Sequence, residues 1–385
     1  MATFKKYETT KGTRWSARGY LGTNETTGQQ EFFKKQGFRT KKEAQLSYSR
    51  AKSDYINGVT SRAKGNSTYE EVYLEWFEKY KHDVKESTAQ ITSTIFRVHI
   101  IPSIGHLNIS KIDHRILQRY VNQWHKEFKR YKTMTYYMFK VFDYAEKMEY
   151  IHDNPKSKVS IPKKQLDLSQ EKQDTLKYYN VSQLRAFIKE LNNEKSYKWI
   201  AYFRLLAYTG IRRGEGLGLY WGDINFKEST LTVKRTLSLG FDYKLIINEP
   251  KTENSKRTVS IDPITLDILK KWKQEQAKLL LGFGHNALKT NQLLFSNVET
   301  NKPLDLTSPR YALRRICKRG NLGMINVHGF RHTHASLLFE AGVSMKDVME
   351  RMGHSDIHTT MNIYTHVTKD SFDKSAELFA NYVNF

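Results

Sequence analysis

Hydrophobic and polar positions change period several times along the 385-residue chain, and each change predicts a different kind of element. Near the front, "TRWSARGYLG" has strand character, "TNETTGQQ" is rich in turn formers, and "EFFKKQGF" returns as a second strand. "TKKEAQLSYSRAKSDYING" then takes a helical period, with Thr40 and Glu43 placed as a capping box and Gly58 as a stop. A short sheet with one helix behind it is expected for residues 1–62. From about 66 to 162 the pattern is helical throughout, with capping signals at "TYEE" (Thr68) and "STAQ" (Ser87) and a polar lead into "RILQRYVNQWHKEF". Pro102 and Gly105 predict a turn between helices, and "NPKSKVSIPKKQ" predicts the end of this module.

Residues 163–176, "KKQLDLSQEKQDTL", are polar and short of large apolar groups, as a linker would be. Beyond them, residues 177–385 mix helical stretches ("VSQLRAFIKELN", "WIAYFRLLAYTG", "ITLDILKKWKQEQAKLLL") with a strand run from "TLTVKRTLSLG" to "KRTVSI". No internal repeat is visible. The class is mainly α with small antiparallel β-sheets, in three domains. In the helical module Trp76, Phe77, Tyr80, Trp124 and Phe128 are assigned to the core, not to base stacking. The tail residues Phe372, Ala376, Phe379, Tyr382 and Val383 fall at roughly helical spacing. They suit packing on their own domain.

Charge sharpens this picture. With 63 Lys+Arg against 40 Asp+Glu the formal charge is +23 and the pI about 9.7, which makes a polyanion the expected partner. No run approaches the roughly 20 apolar residues of a membrane-spanning helix, and "MATFKKYETTKG" lacks an apolar signal core, so a cytoplasmic protein acting on nucleic acid is expected. Basic residues crowd the first sixty positions, and Arg14, Arg18, Lys34 and Lys35 are the candidate DNA contacts there. The single cysteine, Cys317, excludes an intramolecular disulfide and suits a buried small hydrophobe.

The chemistry concentrates in the last domain. "TGIRRGE" places Arg212, Arg213 and Glu215 just past a glycine turn, and the hairpin "INEPKTENSKRTVSI" puts Lys251 beside a polar turn. In "VHGFRHTHASLLFEAG", His328 and Arg331 are at i and i+3 on one helix face, while Phe330, Leu337 and Ala341 form a stripe that can face the core. "GHSDIHTTMNIYTH" adds His354 and, ten residues on, Tyr364. A metal site is the rival reading of His328, His332, His334, His354 and His358. It is set aside because these segments lack the clustered carboxylates or cysteines that zinc and magnesium sites use, and because the neighbouring arginines repel cations. His332, His334, His358 and His366 are left as structural or surface groups.

Guanidinium forks match phosphate oxygens, and without a metal such cations must neutralise a phosphodiester as its charge shifts in the transition state. A tyrosine hydroxyl, with pKa about 10, becomes a nucleophile only where cations and hydrogen bonds help it lose its proton. Attack by it would leave a phosphotyrosine ester that a second DNA hydroxyl could open, rejoining strands without ATP.

The ordered set Arg212, Lys251, His328, Arg331, His354 and Tyr364, with Glu215 as supporting acid, resembles the tyrosine recombinase (phage integrase) family, and among its members the integrases of Gram-positive phages and integrative mobile elements. That resemblance implies an arm-binding sheet-plus-helix domain, a helical core-site-binding domain and a mixed α/β catalytic domain. It also implies roles. Arg212 and Arg331 would clamp the non-bridging oxygens and His354 would add a further hydrogen bond; Tyr364 would attack phosphorus; Lys251 would protonate the departing 5′ oxygen, and His328 would assist proton movement. The implied partners are core and arm attachment sites on double-stranded DNA, a tetramer assembled on that DNA, and accessory excision or DNA-bending proteins. No cofactor is implied, and the C-terminal stretch from Phe372 to Val383 would as readily be donated to a neighbouring protomer as pack on its own domain. A type IB topoisomerase-like enzyme would lack site preference, a metal-dependent nuclease would form no adduct, and a DNA-binding regulator with a decayed site would not cut.

Many lysines and arginines displacing counterions should make DNA affinity fall steeply with salt, with a log–log slope of about −0.9 per phosphate neutralised. A fluorescence binding titration checks this, and an affinity that barely changes between low and moderate salt contradicts it.

Overall fold

The computed structural model describes residues 2–9, 12–23, 29–56, 67–163, 178–249, 256–287, 289–354, 357–358, 360–361 and 383. The chain divides into two compact units, Met1–Gln165 and Leu166–Phe385. Of the expected linker 163–176, only its first residue is among those described. No described helix is long and apolar enough to cross a membrane.

The first unit contains two separate apolar clusters. One lies under an antiparallel sheet of order β1-β2-β3, with strands Thr3–Thr9, Gly12–Thr23 and Gln30–Phe38, packed on helix α1 (Lys41–Ile56). The first strand, "TFKKYET", escapes the sequence pattern because its one buried-facing aromatic is interrupted by lysines. Ala17 and Phe38 on the sheet and Ala44 on α1 are buried together, while Phe4, Trp15 and Phe33 pack around them. Thr40 caps α1 as expected, accepting from Glu43 N at 3.1 Å, although the Glu43 carboxylate accepts from Arg39 N instead of closing on Thr40 itself.

The second cluster belongs to helices α2 (Tyr69–Asp83), α3 (Glu86–Ile95), α4 (His114–Glu127) and α5 (Tyr131–Lys147). Thr68 and Glu71 make the expected capping box, and Asp113 caps α4 by accepting from Ile116 N at 2.9 Å. Ser87 does not cap; α3 starts one residue before it, behind Lys85. Pro102 does not make a turn either. Residues Phe96–Gly105 continue α3 as a wide π-type helix, in which the missing Pro N–H and the bulk of its ring are accommodated by looser winding, and Ile100 and Ile104 keep their place in the core. Trp76 and Trp124 are buried, with Phe77, Tyr80 and Phe128 against them, as a core assignment requires.

In the second unit, α6 (Val181–Leu191), α7 (Tyr197–Thr209), α9 (Pro263–Gly282), α10 (Ser308–Arg319) and α11 (Gly329–Glu340) share one core with two small sheets. The strand run predicted as one region divides between them. Strands β4 (Ile224–Asn225), β5 (Thr230–Val233) and β8 (Arg257–Ser260) form one, and β6 (Thr236–Leu239) with β7 (Leu245–Asn248) forms the other. Helix α7 is buried almost all round, and it packs on both α9 and α11. Cys317 lies buried on α10, as expected of a small hydrophobe. The apolar stripe assigned to α11 is only partly right: Phe330 is fully buried, but Leu337 is half-buried and Ala341 exposed, and Thr333, Ala335 and Ser336 face the interior in their place.

Helix α7 stops because Gly210 takes φ 67°, a left-handed conformation that costs a residue with a Cβ. A Cβ there would also stand 2.7 Å from His334 Cδ2 and 2.8 Å from Met352 Sδ. Gly210→Ala should therefore lower stability by at least about 1–2 kcal/mol, the left-handed penalty alone. Urea denaturation checks this; an unchanged midpoint contradicts the assigned backbone.

Candidate active site

Two residues past Gly210 the chain enters the short helix α8 (Arg213–Leu217), and Arg212 is its extended N-cap residue. Glu215, three residues on, reaches back to accept from Arg212 N at 2.8 Å, and Arg212 Nη1 donates to Glu215 Oε1 at 2.8 Å. Arg213 is exposed. Of the two adjacent arginines, Arg212 is thus the one turned inward.

Glu215 is buried, and a second arginine shares it. From β8, Arg257 donates through Nη2 to Oε2 at 2.9 Å and through Nη1 to Oε1 at 3.3 Å, while its Nε donates to the carbonyl of Arg351 at 2.9 Å. Burial alone would push the Glu215 carboxyl up, but Arg257 first and Arg212 next outweigh it and hold it at about 2.

Arg331, on α11, is almost wholly enclosed. Its Nη1 donates to Gly210 O at 2.9 Å and its Nη2 to Met352 O. Burial, then the neighbouring Arg212, pulls its pKa down to about 9, so it stays cationic at neutral pH. His328 stands at the N-cap of α11, edge-on to His332 with ring centroids 4.9 Å apart. Desolvation, then His332, Arg331 and Arg212, lowers it to about 4.

Helix α12 (Met345–Met352) carries the next group. It ends at Gly353, again left-handed at φ 63°, and His354 follows with its N–H on Met349 O at 3.1 Å. His354 Nδ1 pairs with Thr360 Oγ1 at 2.8 Å, and burial together with Arg331, Arg212 and Arg257 lowers this ring to about 3. In the tautomer where the Thr360 hydroxyl donates to Nδ1, the ring proton is on Nε2 and can be given to an anion.

Arg351, which no sequence signal singled out, and His334, expected as a structural or surface group, belong to the same structure. His334 Nδ1 pairs with Ala207 O at 3.0 Å, and its Nε2 receives Arg351 Nε at 2.9 Å. Since Nε2 accepts, Nδ1 carries the proton, and the ring is neutral. Arg351 also donates to Ser260 Oγ at 2.9 Å, to Ser260 O at 3.1 Å and to Tyr208 O at 3.2 Å, tying α12 to β8 and α7.

Arg212, Glu215, His328, Arg331 and His354 thus come together. Arg212 and His328 border an open groove of about 880 Å³, and Arg257 and His354 border a second of about 1260 Å³. Lys251 and Tyr364 lie outside the described residues, as do Phe372, Ala376, Phe379 and Tyr382 of the tail. In the N-terminal sheet, Arg14 and Arg18 alternate with Ala17, and Arg18 is paired with Lys34, which puts all three on the face away from α1. Lys5, paired with Ser16, joins them and was not anticipated; Lys35, opposite Ala17, points to the helix side instead.

Residues 175–371 match the model of the phage integrase family, and residues 68–125 match that of the phage integrase N-terminal SAM-like domain. A XerC-like tyrosine recombinase of Caldanaerobacter subterraneus is 31% identical over 351 residues, 86% of each chain. The ICEBs1 integrase of Bacillus subtilis is 28% identical over 305 residues, covering 77% of this chain and 79% of that one. Among solved structures, the Tn1549 transposon integrase in complex with a circular intermediate DNA superposes with a TM-score of 0.63 at 21% identity, over 82% of this chain and all of that one. A lambda integrase dimer bound to a core site gives 0.57 at 14% identity over 93% of this chain and 94% of that one.

The buried histidines make stability depend on pH. His334 and His354 have folded pKa values of about 4 and about 3, below the ordinary 6.5, so the unfolded chain takes up protons first. The stability tied to their neutral rings is complete above pH 6.5 and drains as pH falls toward 4; His328, more open to solvent, adds less. Glu215, held at about 2 against an ordinary 4.5, contributes stability that is complete above about pH 4.5 and drains as pH falls toward 2. Thermal melting should therefore show the midpoint falling from pH 7 to pH 5, and a midpoint that rises over that interval contradicts this assignment.

Proposed function

This chain belongs to the phage integrase family of tyrosine recombinases, and we propose that it cuts and rejoins DNA at attachment sites through a 3′-phosphotyrosyl intermediate on Tyr364. The observation that carries this reading is an excess of positive charge in an enclosed space. Arg212 and Arg257 share one carboxylate, Glu215, Arg331 stands beside them on backbone carbonyls, and burial together with these cations holds His328 and His354 neutral. Burying cations without equal anions is costly, and a phosphodiester oxygen pair is an anion of the right chemistry to complete the set.

In this scheme Arg212 and Arg331 hold the two non-bridging oxygens of the scissile phosphate. Both are oriented in advance by protein groups, Arg212 by Glu215 and Arg331 by two backbone carbonyls, so little reorganisation is left for the reaction itself. His354, proton on Nε2, gives a third hydrogen bond as charge grows on those oxygens. Neutral His328 takes the proton that the Tyr364 hydroxyl releases. The Tyr364 oxygen bonds to phosphorus, the bond to the 5′ oxygen breaks, and that oxygen takes a proton from Lys251. Because one phosphoester replaces another, a 5′ hydroxyl from a second strand reverses the step and joins new ends with no energy cofactor.

The three-domain division, with Arg14, Arg18 and Lys34 gripping arm DNA and the helical module gripping core DNA, is part of the proposal. So are assembly of four protomers on paired sites, accessory proteins that bend DNA or favour excision, and a cytoplasmic place of action. DNA-bound relatives such as the Tn1549 and lambda integrases support the DNA partner.

The test uses duplex DNA spanning the attachment junction of the element that carries this chain, nicked near the cleavage point so that religation is blocked, with EDTA present. Wild type should form an adduct that survives denaturing electrophoresis and maps by mass spectrometry to Tyr364, and Tyr364→Phe should form none. Specific binding without an adduct, or an adduct on another tyrosine, overturns the assignment.

A further inference from the structure

Arg257 is the arginine of the cluster that has no place in the ordered motif, and it is enclosed as completely as the carboxylate it holds, with 6% of each side chain accessible. It enters at the first residue of β8, paired with Val233, on the face that also buries Val259. At least three of its five N–H donors are spent on protein: Nη1 and Nη2 on the two oxygens of Glu215, and Nε on the carbonyl of Arg351. Its grip on Glu215 is also the more sheltered of two, since 37% of the Arg212 side chain is accessible.

We propose that Arg257 is a positioning residue for strand cleavage: by gripping Glu215 and the end of α12 together, it fixes Arg212 and His354 at the spacing a phosphodiester needs. This rests on the strand-exchange reading of the site. Two physical links carry it. Glu215 must be ionised to accept from both Arg212 N and Arg212 Nη1, and the charged groups around it are Arg212 on its own helix, Arg257 from β8, and Arg331 and His328 from α11. Removing the Arg257 fork takes away the largest influence opposing burial, which then drives the carboxyl toward its neutral form and frees Arg212 to swing. The second link is mechanical. The Arg351 carbonyl lies three residues before His354 in the last turn of α12, so loosening it lets that helix end drift.

The experiment measures single-turnover adduct formation on the nicked junction duplex, with full-length protein in excess, from pH 5 to pH 8. The variants are Arg257→Lys, Arg257→Met, Glu215→Gln and the Glu215→Gln/Arg257→Met double. Misplacing a catalytic group by about 1 Å costs on the order of 100-fold, so Arg257→Met should slow cleavage by about that factor and Arg257→Lys, which keeps charge but not the fork, by about 10-fold. Affinity for the duplex should stay within about 3-fold, since no surface phosphate contact is removed. The Arg257→Met deficit should deepen from pH 7 to pH 5 as Glu215 protonates. In the Glu215→Gln background the same substitution should cost clearly less than it does alone and show no pH trend, because the Glu215 part of the grip is already gone and only the hold on the Arg351 carbonyl remains. Wild-type rates in either Arg257 variant, or an equal Arg257→Met penalty with and without Glu215, overturn the proposal. If Arg257→Met fails to melt cooperatively, Arg257→Lys decides: a slowed rate at unchanged affinity supports the proposal and a wild-type rate overturns it. Absence of a Tyr364 adduct in wild type overturns the strand-exchange reading and this inference with it, whereas a wild-type adduct beside undiminished Arg257 variants overturns the inference alone.

Discussion

Three consecutive carbonyls end helix α12, and a different arginine caps each. Arg257 Nε donates to Arg351 O at 2.9 Å, Arg331 Nη2 donates to Met352 O, and Arg212 Nη2 reaches Gly353 O at 3.4 Å. The last carbonyls of any helix lack partners within it, and they form the negative end of its dipole. Guanidinium groups answer both needs, because each offers several donors in one plane and keeps its charge. The arginines come from β8, α11 and the N-cap of α8, so one helix end draws three separate elements to one point.

That convergence explains why the surrounding fold is built so tightly. Gly210 closes α7 and lends its carbonyl to Arg331, and a side chain there would strike both His334 and Met352. Gly214 on α8 lies so near β6 that a Cβ would stand 2.6 Å from Leu237 O. Arg351 then fastens α12 from its other side, to His334, Ser260 and Tyr208. Each contact taken singly is modest, but together they leave α12 one position in which all its terminal carbonyls are satisfied. On the proposed reading, a donor set that meets a phosphate in one geometry needs that kind of overdetermination.

What the sequence disclosed of this arrangement was its ordered chemistry, since short motifs such as "TGIRRGE" and "HGFR" keep their residues within one helical turn, where spacing speaks for geometry. Choosing Arg212 over Arg213 agrees with the inward turn of the former. Arg257 and Arg351 stayed hidden, and His334 was legible only as a structural or surface group, for a reason of distance. Arg257 meets partners 42 and 94 residues away, and His334 a carbonyl 127 residues away, so nothing local distinguishes them from surface cations or a helix histidine. The missed first strand and the helix that runs through Pro102 have the same origin: tertiary packing overrode a weak local pattern, lysines in one case and a helix breaker in the other.

The cationic excess has a last consequence for the histidines. His354 is lowered by burial and then by Arg331, Arg212 and Arg257, and His328 by desolvation, His332, Arg331 and Arg212, so repulsion from neighbouring cations adds to burial in each shift. An anion seated among the arginines cancels that repulsion, and both rings then become better proton acceptors. By linkage, whatever raises their proton affinity on binding must itself bind more tightly when they are protonated. On the strand-exchange reading proposed above, such a site couples the proton affinity of its histidines to the arrival of a phosphate.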